Sequence, residues 1–305
     1  DCDRCTSYNS AATFSSLFPM PHFNDTSRVQ RIFFAPRNDR NWVRNFGAEK
    51  RLVGWVWHHD NFTAQTETVI HVHGIRTCKT TCTSLLVTSM LYNAGYNVLA
   101  LDLRNHGESP EMDPPFLSFG DREHMDVLGA VDYLNETYGT GAVSRLGLHG
   151  ISMGGAVSLT AFLKEPAFKA LFVDSGATDV TATLKDNISR VLKLTTSVLY
   201  GMCMISEGRK YGCPPFGNDP LKFLRQHHER PIHFDHCETD VIVPSFVSRR
   251  TLGKLNKLYS NKTRLTSFFD RTGWPRKVCE DHVVLMLKDP TAYQKRMTDF
   301  FGQYL

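Results

Sequence analysis

The sequence has no long apolar run. No stretch of its 305 residues approaches the roughly 20 consecutive apolar residues that a membrane helix needs, so no helical span is expected within it. It also lacks a strong charge bias. Lys and Arg total 35 against 31 Asp and Glu, a formal net charge of +4, and no basic run interleaved with aromatics occurs. A nucleic-acid surface is therefore not expected. Internal repeats and low-complexity tracts are absent. An initiator Met is missing too: the chain opens on Asp1, which suggests that a signal peptide or N-terminal membrane tether precedes it.

What remains is an ordinary globular composition, 41% hydrophobic and 22% charged, able to bury a sizeable core. The length fits one large α/β domain with an insertion better than two full domains. Eight cysteines are present: Cys2, Cys5, Cys78, Cys82, Cys203, Cys213, Cys237 and Cys279. Five N-glycosylation acceptors accompany them, at Asn24, Asn61, Asn135, Asn187 and Asn261, each followed two residues later by Ser or Thr. Together they point to an oxidising, secretory environment, with the catalytic domain extracellular or lumenal. The spacings Cys2-x-x-Cys5 and Cys78-x-x-x-Cys82 also suit a zinc site, but disulfides are the preferred reading.

Residues 1–30 are polar and turn-rich and read as a lead-in. From there strands and helices alternate. Strand-like runs fall at 31–35, 51–57, 68–73, 97–102, 143–149, 169–174, 231–235 and 263–269, and helical patterns at 80–94, 121–138, 153–164, 245–259 and near the C-terminus. Near-continuous apolar strands separated by helices predict a mostly parallel sheet covered on both faces. The interval 177–229 breaks the rhythm with helical, Leu- and Met-rich stretches. It reads as a helical cap inserted between core segments 31–176 and 230–305.

The strongest motif is Gly150-Ile-Ser152-Met-Gly154, placed between a strand and a helix. A chain reversing that sharply leaves no room for side chains two residues either side of the serine, and it presents the hydroxyl at the sheet's carboxyl edge. A serine needs a base, and the base an orienting acid. His282 follows the last strand and Asp240 follows the strand after the cap, giving the order Ser, Asp, His. Asp174 is the runner-up acid, Asp235 reads as structural, and Asp281 as an exposed neighbour of the base. His71 and His73 read as packing and loop-shaping residues, and His149 as a strand-end residue. The oxyanion donors expected are the backbone N–H groups of Met153 and Ile75, with Gly74 letting the backbone approach. Met202 and Trp274 suggest an apolar substrate pocket, against a simpler reading as cap core. No metal or organic cofactor is implied.

The set Val72-His73-Gly74, Leu101-Asp-Leu-Arg-Asn-His-Gly-Glu-Ser109, Gly150-Ile-Ser-Met-Gly154, Asp240-Val-Ile-Val-Pro244 and Asp281-His282 resembles the α/β-hydrolase superfamily. Within it, the chain looks like the branch of monoacylglycerol lipases, small membrane-tethered hydrolases and serine aminopeptidases. The resemblance implies an α/β-hydrolase fold of about eight strands, a Ser152–His282–Asp240 triad and hydrolysis of a lipid or aryl ester. Thioesterase and peptidase chemistry stay open, as does a catalytically silent binding ectodomain. The cysteines depart from that branch. The pairings expected are Cys237–Cys279, joining the acid and base loops, Cys203–Cys213 in the cap, Cys78–Cys82 and Cys2–Cys5.

Overall fold

The computed structural model describes residues 17–21, 24–59, 66–112, 117–192, 220–221, 223, 229–272 and 281–305. Among them, eight strands form one sheet: β1 (Val29–Phe34), β2 (Leu52–Trp57), β3 (Thr68–Val72), β4 (Asn97–Leu101), β5 (Leu146–Ile151), β6 (Phe168–Asp174), β7 (Ile232–Cys237) and β8 (Leu265–Asp270). Their order is β1-β2-β4-β3-β5-β6-β7-β8. Strand β2 runs antiparallel to both neighbours, and every pair from β4–β3 onward is parallel. The helices are α1 (Arg40–Phe46), α2 (Cys82–Asn93), α3 (His124–Tyr138), α4 (Met153–Lys164), α5 (Val180–Leu192), α6 (Phe246–Leu258), α7 (Leu285–Lys288) and α8 (Pro290–Tyr304).

Burial follows topology. Strands β3 and β5 are buried at every position, whereas the edge strands β1 and β8 expose part of their length. This is the pattern of a parallel sheet with both faces covered. On one face an apolar cluster joins Ile70, Leu99 and Leu148 to Trp42 of α1, Val131 of α3, and Val157 and Phe162 of α4. On the other, Val69, Val98 and Phe172 meet Leu86 and Met90 of α2 and Tyr293, Met297 and Phe301 of α8. Phe18, from the segment ahead of β1, is buried in this second cluster. The last helix is capped as its sequence dictates: Pro290 opens it and the Asp289 carboxylate accepts from the Ala292 amide at 3.0 Å.

Two boundaries differ from the sequence pattern for local reasons. Residues Thr140–Val143 form a 3-10 turn after left-handed Gly139, so β5 starts at Leu146 rather than Val143. Helix α3 starts at His124 because the Glu123 carboxylate is turned back to accept from the Ser118 and Gly120 amides. Of the expected cap, α5 is described; most of 193–228, including Met202, Cys203 and Cys213, lies outside the described residues.

Candidate active site

The parallel strands deliver the functional residues to one edge of the sheet. Ser152 stands between β5 and α4 with φ 53° and ψ −121°, a left-handed conformation that a non-glycine residue adopts only under strain. A Cβ on Gly150 would collide with the Gly154 carbonyl and the Ser158 hydroxyl, and one on Gly154 would strike the carbonyls of Val72 and His73. The two glycines are thus what lets the turn close against β3. The Ser152 amide is anchored on the Asp174 carbonyl at 2.9 Å, and its hydroxyl sits at the positive end of the α4 dipole.

His282 lies far off in sequence and arrives beside it. Its Nε2 is 2.8 Å from Ser152 Oγ, and its Nδ1 is 2.7 Å from Asp240 Oδ2. With an ionised carboxylate on Nδ1, that nitrogen carries the proton and Nε2 is left to accept one. The residues on either side of His282 are both left-handed: Asp281 has φ 55° and Val283 φ 56°. For β-branched Val283, buried in the α8-side cluster, that is a costly backbone state. His282 is presented by a wound turn held down by packing.

Asp240 is saturated. Its Oδ1 accepts from the Ile242 and Val243 amides, each at 2.9 Å. Its Oδ2 faces His282 and, at 3.3 Å, His236 Nε2. Burial works to raise this carboxyl's pKa, but the hydrogen bonds from His236 and His282 outweigh it and hold the group below its ordinary range. Asp174, the alternative acid, is fully buried and accepts from the Ser175 hydroxyl at 2.8 Å. Burial, aided by Asp235 beside it in register on β7, pushes its pKa up to about 6. Asp235 itself is taken up by Arg296 and His233.

The loop after β3 passes close over the serine: a Cβ on Gly74 would lie 3.2 Å from Ser152 Cβ. His73 fixes this loop. Its Nε2 accepts from the Leu103 amide at 3.1 Å, so Nδ1 carries the proton and donates to the Gly74 carbonyl at 2.7 Å. Thr77 Oγ1 donates to the same carbonyl at 2.9 Å. Burial, with His106 alongside, pushes His73 down to about 4 and keeps it neutral. Because a peptide unit is planar and trans, fixing the Gly74 carbonyl also fixes the Ile75 N–H. Met153 supplies the first amide of α4, and the opening amides of a helix have no intrahelical partner.

Other residues singled out in the sequence serve packing. His71 and His149 lie opposite each other on β3 and β5 with their Nδ1 atoms 3.0 Å apart, and His149 Nε2 is 3.0 Å from the Tyr293 hydroxyl. No cluster of three or more metal-ligating side chains occurs among the described residues. In the stretch 102–109, Lys79 pairs with Asp102 and Glu108, and buried Arg104 with Asp126 and Asp39. The partners of these charges, together with His236, Thr77 and Ser248, went unread in the sequence, because nothing local marks side chains that meet only after folding.

The cysteines require a correction. Cys237 is a free, buried thiol, so the Cys237–Cys279 bridge is not formed. Its side chain ends β7 inside the cluster that holds Val284 and Leu285, with Sγ 3.1 Å from Thr239 Oγ1. Cys78 and Cys82 are each disulfide-bonded, but no bond between the two is found among the described residues. Cys2, Cys5, Cys203, Cys213, Cys279, Trp274 and Asn61 lie outside the described residues.

Sheet order and elbow are those of the α/β-hydrolase fold, and solved structures share that fold. A family model described as serine aminopeptidase, S33, matches residues 63–211. An esterase of Pyrococcus furiosus superposes with a TM-score of 0.67 at 20% identity, covering 93% of this chain and 96% of its own. An acylaminoacyl peptidase of Pyrococcus horikoshii gives 0.63 at 16% identity over 91% of this chain and 41% of its own. A dienelactone hydrolase of Anabaena variabilis gives 0.58 at 16% identity, covering 91% and 99%. No curated protein matches the chain in sequence. The chain has the α/β-hydrolase fold.

Proposed function

We propose that the chain is a serine hydrolase that cleaves carboxylic esters through an acyl-enzyme. The observation that carries this reading is the single imidazole of His282 bridging Asp240 Oδ2 at 2.7 Å and Ser152 Oγ at 2.8 Å. Ser152 attacks the ester carbonyl while His282 Nε2 takes its proton, and Asp240 stabilises the imidazolium that forms. The Met153 and Ile75 amides receive the oxyanion. His282 then returns its proton to the leaving alkoxide, and water repeats the sequence to free the acid.

Peptidase chemistry uses the same groups and is the second reading, favoured by the description of the matching family model. Ester cleavage is preferred because the esterase of Pyrococcus furiosus matches end to end, whereas more than half of the peptidase's length falls outside the match. The substrate we infer is a lipid or aryl ester, and the setting extracellular or lumenal. Asn24, Asn135 and Asn261 are all exposed and open to glycosylation, and Cys78 and Cys82 are disulfide-bonded.

A panel of p-nitrophenyl esters of graded chain length, beside amino-acid amides, tests the reading on wild type and Ser152→Ala. Ester turnover abolished in Ser152→Ala, with loss of fluorophosphonate labelling, is the expected outcome. Turnover or labelling that survives the substitution overturns it.

A further inference from the structure

The hydrogen bonds behind Asp240 continue past the three residues of the proposed triad. His236, on β7, is completely buried, its ring stacked parallel to Phe269 of β8 at 6.4 Å between centroids. Its Nδ1 is 2.8 Å from Ser248 Oγ on α6. Its Nε2 faces two acceptors, the Val243 carbonyl at 2.7 Å and Asp240 Oδ2 at 3.3 Å. A nitrogen facing only acceptors must carry the proton, so Nδ1 is the acceptor and the Ser248 hydroxyl its donor. The two acceptors select the tautomer, and the Ser248 hydroxyl complements it by donating to Nδ1.

Both acceptors of His236 belong to one turn. Val243 N donates to Asp240 Oδ1 at 2.9 Å, while the Val243 carbonyl is held by His236. The carboxylate is therefore gripped from two sides: backbone amides fix Oδ1, and two imidazoles converge on Oδ2. Only one of those imidazoles, His282, reaches Ser152.

The geometry points to His236, its ring held by Ser248, as a positioning residue that locks Asp240 in the orientation its Oδ2 needs to meet His282. It acts through Asp240 and touches neither the serine nor a substrate. This rests on the triad reading above. Without His236, the buried carboxylate loses a donor and the turn loses its tie to β7, so Oδ2 is free to rotate out of line with His282 Nδ1. Glutamine can place an amide nitrogen near the position of Nε2; alanine cannot.

The test measures kcat and KM on a p-nitrophenyl ester for His236→Ala, His236→Gln and Ser248→Ala, each also combined with Asp240→Asn, with thermal melts to establish folding. His236→Ala is expected to lower kcat about 10²-fold, the scale of a small misplacement remote from the chemistry, with KM unchanged. His236→Gln recovers most of that loss, and Ser248→Ala loses less than His236→Ala. In the Asp240→Asn background, adding His236→Ala costs nothing further, because the residue through which it acts is already disabled. Wild-type kcat in folded His236→Ala, or an equal fold-loss in both backgrounds, overturns the proposal. If His236→Ala does not fold, His236→Gln and Ser248→Ala decide. A His236→Gln loss as large as the ~10²-fold expected of alanine, or equal Ser248→Ala losses in both backgrounds, overturns it. Failure of the underlying reading is separately visible, as turnover that persists in Ser152→Ala.

Discussion

The Leu103 amide donates to His73 Nε2 at 3.1 Å, and this one bond decides which way the loop after β3 faces. It forces the His73 proton onto Nδ1, where it meets the Gly74 carbonyl and sets the opposite end of that peptide, the Ile75 N–H. His73→Ala should therefore lower kcat by about 10²-fold, near the cost of losing one oxyanion donor, with KM little changed. It should also cost about 1–3 kcal/mol of stability for the buried Leu103 amide left unpaired. Thr77→Val, which removes the second donor to Gly74 O, should show the smaller effect in the same assay.

Asp240→Asn should lower kcat by roughly 10⁴-fold, because an amide no longer demands the Nδ1–H tautomer of His282 or stabilises its charge. The carboxyl also contributes to stability with a definite pH sign. Its folded-state pKa is held below the unfolded value of about 4, so its contribution is fully present above about pH 4 and is lost as pH falls through the lower folded value. Urea melts of wild type and Asp240→Asn should converge as the pH is lowered through that window.

Asp174 carries the opposite sign. Burial raises its folded-state pKa to about 6, so between about pH 4 and pH 6 the folded chain binds a proton that the unfolded chain has released. Wild type should lose stability across this interval as pH rises. Asp174→Asn, which keeps an oxygen for the Ser175 hydroxyl, should flatten that part of the curve.

Arg104 is completely buried between Asp126 and Asp39 and lies over the Trp42 ring. Arg104→Ala strands two carboxylates without a cation and should destabilise by about 3–5 kcal/mol. Arg104→Lys should recover only part, since an ammonium cannot reproduce the forked contact with Asp126. Chemical denaturation reads both.

The elbow was legible because its requirement is local: five consecutive residues carry the turn. That Asp240 and His282 would meet Ser152 was legible through chain order, since a parallel sheet brings the loops after successive strands to one edge. The strands stood out where both faces are buried, as in β3 and β5. Helix α1 was not seen, because Arg40–Phe46 buries little beyond Trp42 and shows no periodic apolar stripe. His236 reads as one more strand residue until α6 brings Ser248 against it. The Cys237–Cys279 bridge failed for a related reason: adjacency of two loops in a topology does not say which way a side chain points, and Cys237 points into the core.

That thiol has a mechanical consequence. With no covalent staple at Cys237, the distance from Asp240 to His282 is governed by how tightly the end of β7 nests beneath Val284 and Leu285. Side-chain bulk at a site with no chemistry of its own becomes a dial on turnover. Enlarging Cys237 would pry the loops carrying Asp240 and His282 apart, and a reducing agent acting at this position would leave their spacing untouched.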